Sequence, residues 1–193
     1  MRNTVTPPVG RGPGALLARA LFIDMAGVLL DPVAANDRLA GLRAGAGAAL
    51  RLLDRLDYRI VVLAPCALDR RRAGRLAPAR LADLLAREHI DLAGFWCCHA
   101  TGAPCDACPP APGALLRAAQ EHRVDLAQSW LLAGHPRQST AGQQAGCRTV
   151  LIAGDGQWRR GDVPGAAGDA PAAYEARDIV DAALAIVRLD GGA

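Results

Sequence analysis

Short apolar runs broken by polar or glycine-rich stretches recur along the chain, and they set the first expectations. "ALFID" at 20–24 and "RIVVL" at 59–63 are continuous apolar segments, the kind a parallel sheet buries on both faces. "GFWCC" at 94–98, "SWLLA" at 129–133 and "RTVLIA" at 148–153 read the same way. Between the first two runs, leucines at 39, 42, 50, 53 and 56 fall near helical spacing, with glycines at 41, 45 and 47 delaying the start to about residue 46. Helical spacing also predicts helices over 78–88, over 112–122 with Pro112 in the first turn, over 137–145 ending at Gly146, and over 173–188, where Ile179, Ala183, Ile186 and Val187 share a face. Residues 154–172 read as a Gly/Pro/Ala-rich loop.

Strands alternating with helices predict an α/β domain, a doubly wound, Rossmann-like parallel sheet flanked by helices. Ligands of such sheets bind beyond the carboxyl ends of the strands. Asp24, Ala64, the cysteines after residue 96 and Gly134 would meet there. Asp24 is the one carboxylate in "ALFIDMAGVLL", placed where a buried strand hands an acidic side chain to the following loop.

Length allows one such domain, expected over 19–190, after a Pro/Gly/Arg-rich arm at 1–18 read as disordered. Aromatic residues are only 4%, so the core must be built from Leu, Val, Ile and Ala. The net charge of +3 is small, and Arg70, Arg71, Arg72 and Arg75 form a short cluster that reads as a solvated helix face, so no nucleic-acid partner is expected. The apolar stretch after residue 18 is broken by Asp24 and Asp31, too soon to cross a bilayer, and no signal peptide precedes it. A cytoplasmic protein without a membrane partner is expected. All 22 basic residues are arginine. Any chemistry needing the compact charge of a lysine ammonium is therefore closed to this chain.

Four of the six cysteines fall within "CCHATGAPCDAC" beside a histidine, which is metal-ligand spacing. Cys97, His99, Cys105 and Cys108 are the expected structural zinc ligands of a loop at 97–108, with Cys98 a competitor for Cys97. The alternative is a set of free thiols and a surface histidine. His135 and Arg137 form a candidate anion pair, or a solvated loop pair. Cys66 and Cys147 read as small buried hydrophobes.

The order of "LFIDMAGVLL", "YRIVVLAPCA", "CCHATGAPCDACPPAPGALLRAA" and "SWLLAGHPRQSTAGQQAGCRTVLI" resembles the haloacid dehalogenase (HAD) superfamily. Within it the resemblance is to the heptose bisphosphate and histidinol-phosphate phosphatases, which carry a Cys/His zinc loop and no large cap domain. The resemblance implies four catalytic elements. The first is an Asp-x-Asp pair, whose first Asp becomes phosphorylated while the second serves as general acid and base; Asp24 keeps the nucleophile position and Ala26 replaces the second. The second is a Thr or Ser ending the second strand, here Ala64. The third is a charge-neutralising lysine after the zinc ligands, where this chain offers Pro109 and Ala111. The fourth is an acidic motif that helps hold magnesium, where Gly134 and Gln138 stand, and no carboxylate occurs from 126 to 154.

General acid-base catalysis alone contributes ~100 to 10,000-fold. The resemblance with four replacements therefore implies a phosphatase homologue that has lost activity and serves as a zinc-stabilised binding, regulatory or scaffold protein for a protein partner or a phosphorylated small molecule. The alternative is an active phosphatase acting on a small sugar phosphate through an aspartyl-phosphate at Asp24, with magnesium.

Overall fold

A computed structural model describes residues 17–30, 41–64, 78–97, 109, 111–153 and 174–190. Among these residues six strands form one sheet: β1 (Ala20–Asp24), β2 (Arg59–Ala64), β3 (Leu92–Cys97), β4 (Trp130–Ala133), β5 (Arg148–Ile152) and β6 (Tyr174–Ala176). Their order is β3-β2-β1-β4-β5-β6, and every pairing is parallel. Among the described residues, five α-helices flank the sheet: α1 (Ala46–Asp54), α2 (Pro78–Arg87), α3 (Gly113–His122), α4 (Pro136–Gln144) and α5 (Ile179–Asp190). No helix among the described residues is long and apolar enough to cross a membrane.

The pleat of β1 explains its unbroken apolar run. Leu21 and Ile23 join one core with Leu50 and Leu53 of α1, Leu81 and Leu85 of α2, and Ile179 and Ile186 of α5. Ala20 and Phe22 point the other way, into a second core with Leu115 and Ala118 of α3 and Ala141 of α4. A strand flanked by helices on both sides has no wet face, so alternation disappears from its sequence. Gly45, with φ of 79°, starts α1, and a side chain there would also meet Val180 of α5 at 2.6 Å. The glycine thus serves both the left-handed turn and the α1–α5 packing.

The expected helix at 173–188 is corrected by the structure. Tyr174–Ala176 pair with Val150–Ile152 as an edge strand, and the helix begins only at Ile179. Asp178 accepts from the Asp181 N–H at 2.8 Å, while Asp181 accepts from the Arg177 N–H at 3.1 Å, a local cap that sets this start. β3 begins two residues before the apolar run suggested, at Leu92. Ala18, at the end of the expected arm, bridges to Val124 and exchanges backbone hydrogen bonds with Arg123 and Asp125.

At the amino ends of the strands, Asp190 of α5 gathers Trp130 Nε1 at 3.0 Å, the hydroxyl of Tyr58, and both terminal nitrogens of Arg148 at 2.6 and 2.9 Å. The Arg148 guanidinium also stacks on the Trp130 ring, 4.2 Å from its centroid. One carboxylate therefore ties the last helix to β4, β5 and the residue preceding β2.

Candidate functional site

After β3 the chain crosses back to β4, on the far side of β1, so the sheet reverses direction between β1 and β4. The carboxyl ends of these two strands open the crevice where wound sheets place their ligands. Asp24 ends β1 and Gly134 follows β4. Sequence reasoning placed both at this crevice, and the structure brings them together.

Beyond Asp24 the chain does not run into an open loop. Met25–Leu29 form one π-helical turn, closed by the Leu30 N–H donating to Met25 O at 2.9 Å. Asp24 caps it, its Oδ2 accepting from the Gly27 N–H at 2.8 Å. The backbones of Gly27 and Gly134 lie against this carboxylate. A Cβ on Gly27 would stand 2.5 Å from Asp24 Oδ2 and 2.9 Å from Gly134 Cα; one on Gly134 would stand 2.7 Å from Gly27 Cα. Only glycine fits at either place.

Gln138 lies in the first turn of α4, three residues after the helix cap His135. Its Oε1 accepts from the N–H of Gly134, the residue before the cap, at 2.9 Å. That leaves its amide NH2 as the end that can act on Asp24, whose pKa Gln138 lowers. The Asp24 carboxylate, only 5% exposed, thus receives the hydrogen bond of the Gly27 N–H, with Gln138 and the backbone of Ala26 also favouring its charged form. Burial pushes its pKa up, and these donors, together with the charge of Arg43, only partly oppose the rise.

The remaining expected residues take plainer places. Ala26 is exposed beside the carboxylate. Ala64 ends β2, in register with Cys97 of β3. Pro109 is exposed and Ala111 half-buried before α3. His135 uses Nδ1 to accept from the Arg137 N–H at 3.1 Å, while the Arg137 side chain is exposed. Cys147 is core, as expected, donating to Ser129 O at 3.2 Å with its thiol pushed up to about 12 by burial. His99, Cys105, Cys108 and Cys98 lie outside the described residues, as do Cys66 and the arginine cluster; of Cys97 the structure describes its place at the end of β3. Arg43, which nothing in the sequence marked, is brought near Asp24 by the antiparallel bridge between Leu30 and Leu42 and by its N–H donating to Leu29 O at 2.9 Å.

A magnesium ion needs near-octahedral oxygen ligands at about 2.0–2.1 Å, one or two of them carboxylates. At Asp24 the converging groups are N–H donors, which face a cation with the wrong end of their dipoles. No group of three or more His, Cys, Asp or Glu is assembled among the described residues. The described residues at Asp24 do not by themselves fit a magnesium site.

No family model matches the sequence, and no curated protein matches it. Solved structures do match. The D,D-heptose 1,7-bisphosphate phosphatase from B. bronchiseptica, complexed with magnesium and phosphate, is 19% identical with a TM-score of 0.71, over 89% of this chain and 99% of that one. The corresponding phosphatase from Burkholderia thailandensis is 17% identical with a TM-score of 0.60, over 88% and 98%. A HAD-superfamily hydrolase from Ehrlichia chaffeensis is 11% identical with a TM-score of 0.61, over 91% and 99%. With its single parallel sheet, its acidic residue at the end of the central strand β1 and these structural neighbours, the chain has the fold of the HAD-superfamily phosphatases, among them D,D-heptose 1,7-bisphosphate phosphatase.

Proposed function

We propose that this chain is a phosphatase-fold protein that has given up phosphoryl transfer and works by binding, as a regulatory or scaffold protein. The observation that supports this reading is the state of Asp24. A nucleophilic carboxylate must be ionised and free to reach phosphorus. Here it is buried, its pKa is pushed up by that burial, and one of its oxygens is engaged by the Gly27 N–H and pressed on by the Gly27 and Gly134 backbones. The adjacent position that would supply a general acid is Ala26, whose methyl can move no proton. The proposed ligand is a phosphorylated small molecule or a partner protein, and zinc held by Cys97, His99, Cys105 and Cys108 is part of the proposal, resting on their spacing.

The second reading, an active phosphatase forming an aspartyl-phosphate, draws on the retention of Asp24 at the crevice and on the Arg43 charge beside it. Assays with sugar bisphosphates and histidinol phosphate in magnesium, run beside Asp24→Asn, decide between the two. The binding reading expects no turnover that depends on Asp24. Hydrolysis abolished by that substitution overturns it. Elemental analysis of the purified protein is expected to give one zinc per chain.

A further inference from the structure

We propose that Gln138 replaces a divalent cation at this crevice, so that the protein holds Asp24 in place without metal. This deepens the reading above and rests on it. A cation beside Asp24 would have two tasks: to satisfy a buried carboxylate and to join the end of β1 to the loop after β4. The Gln138 amide performs both. Its Oε1 takes the N–H of Gly134 at 2.9 Å, the Gly134 backbone lies against Asp24 Oδ2, and the amide acts on the Asp24 carboxyl to lower its pKa, so one planar group lies across the two strand ends. The space beside the carboxylate is filled as well, since the Gly27 and Gly134 backbones already press on Oδ2. Unlike an ion, the amide is covalently part of α4 and cannot be lost to a chelator. Removing its donor and adding an acceptor should reverse the arrangement. In Gln138→Glu the isosteric side chain sets a second carboxylate beside Asp24, and the pair would then call for a cation.

The test is thermal unfolding of the full chain at pH 7.5, titrated with magnesium chloride after chelator treatment and against sodium chloride of matched ionic strength. Wild type and Asp24→Asn are expected to melt at temperatures independent of magnesium. Gln138→Glu is expected to melt lower than wild type in chelator and to regain stability as magnesium is added, by mass action. A magnesium-dependent rise in wild type that vanishes in Asp24→Asn overturns the proposal, and so does a Gln138→Glu protein that folds but ignores magnesium. If Gln138→Glu does not fold, Gln138→Asp, with its shorter side chain, takes its place under the same criteria. Failure here is separable from failure of the proposed function: magnesium binding by wild type without turnover sinks only this inference, whereas turnover dependent on Asp24 in chelator sinks only the other.

Discussion

At the scale of single residues, Asp24 is held by donors yet kept from water, and burial dominates the balance. Its folded pKa lies above its unfolded value, so its contribution to stability is fully present below the unfolded pKa of 3.8 and is lost as pH rises through the folded value. Asp24→Asn removes the ionisation while keeping an oxygen for the Gly27 N–H. The variant is expected to melt above wild type at pH 7, with the gap narrowing toward pH 4, as read by thermal denaturation at both values. A smaller or reversed gap at pH 7 would mean that the carboxylate is better served by its donors than burial suggests. In the sequence, the nucleophile-like position of Asp24 was legible because a lone carboxylate ending an apolar run is conspicuous. Its approach by Gln138, which partly offsets the burial that pushes its pKa up, was not. Nothing in "LAGHPRQS" says that a glutamine in the first helical turn will turn its amide back toward a strand 114 residues earlier; that follows from β4 lying next to β1.

At the scale of elements, two contacts carry the arrangement. Where the π-helical turn after β1 meets the loop after β4, two glycines touch through their backbones. Gly134→Ala puts a methyl 2.7 Å from Gly27 Cα and 2.8 Å from Asp24 Oδ2; the first is backbone and the second is a buried carboxylate oxygen held by the Gly27 N–H. The expected cost is ~1–3 kcal/mol, the range for overpacking a filled site, measured as a lower urea midpoint. The other contact is the Asp190 cluster. Burial opposes ionisation of Asp190, but donation from Arg148, Tyr58 and Trp130 outweighs it and holds the carboxyl below its usual value. Asp190→Ala leaves the Trp130 indole N–H and the Tyr58 hydroxyl without their acceptor. Arg148 is about one-third exposed and can turn to water. A loss of roughly 1–3 kcal/mol is expected, with the denaturant slope unchanged if α5 stays docked. The helix pattern at 173–188 was correct for its second half, since Ile179 and Ile186 do face the core. The three residues that became β6 were not separable, because a short edge strand is defined by its partner β5 and not by its own periodicity.

At the scale of the whole molecule, the protein is expected to weaken in acid. Half-buried His122 has its pKa lowered, by burial first and by the charge of Arg59, against the opposing pull of Glu121. Its neutral ring sits on the Gly94 backbone of β3. With the folded pKa below the unfolded value of 6.5, its contribution is complete above pH 6.5 and is lost as pH falls from there through the folded value. Asp190 adds a second loss below its unfolded value of 3.8. In the Asp24→Asn background, where the opposing titration of Asp24 is absent, urea midpoints should therefore fall between pH 7.5 and 5.5, and adding His122→Gln should flatten that fall without removing the one below pH 4. Five apolar runs separated by helical spacing were enough to specify a parallel, helix-covered sheet and to put Asp24 at its carboxyl edge, because burial on both faces is written into each strand's own composition. Strand order, the meeting of Gly27 with Gly134 and the approach of Arg43 and Gln138 to Asp24 could not be read from the sequence, since each depends on residues far apart in the chain whose proximity exists only after the sheet has assembled.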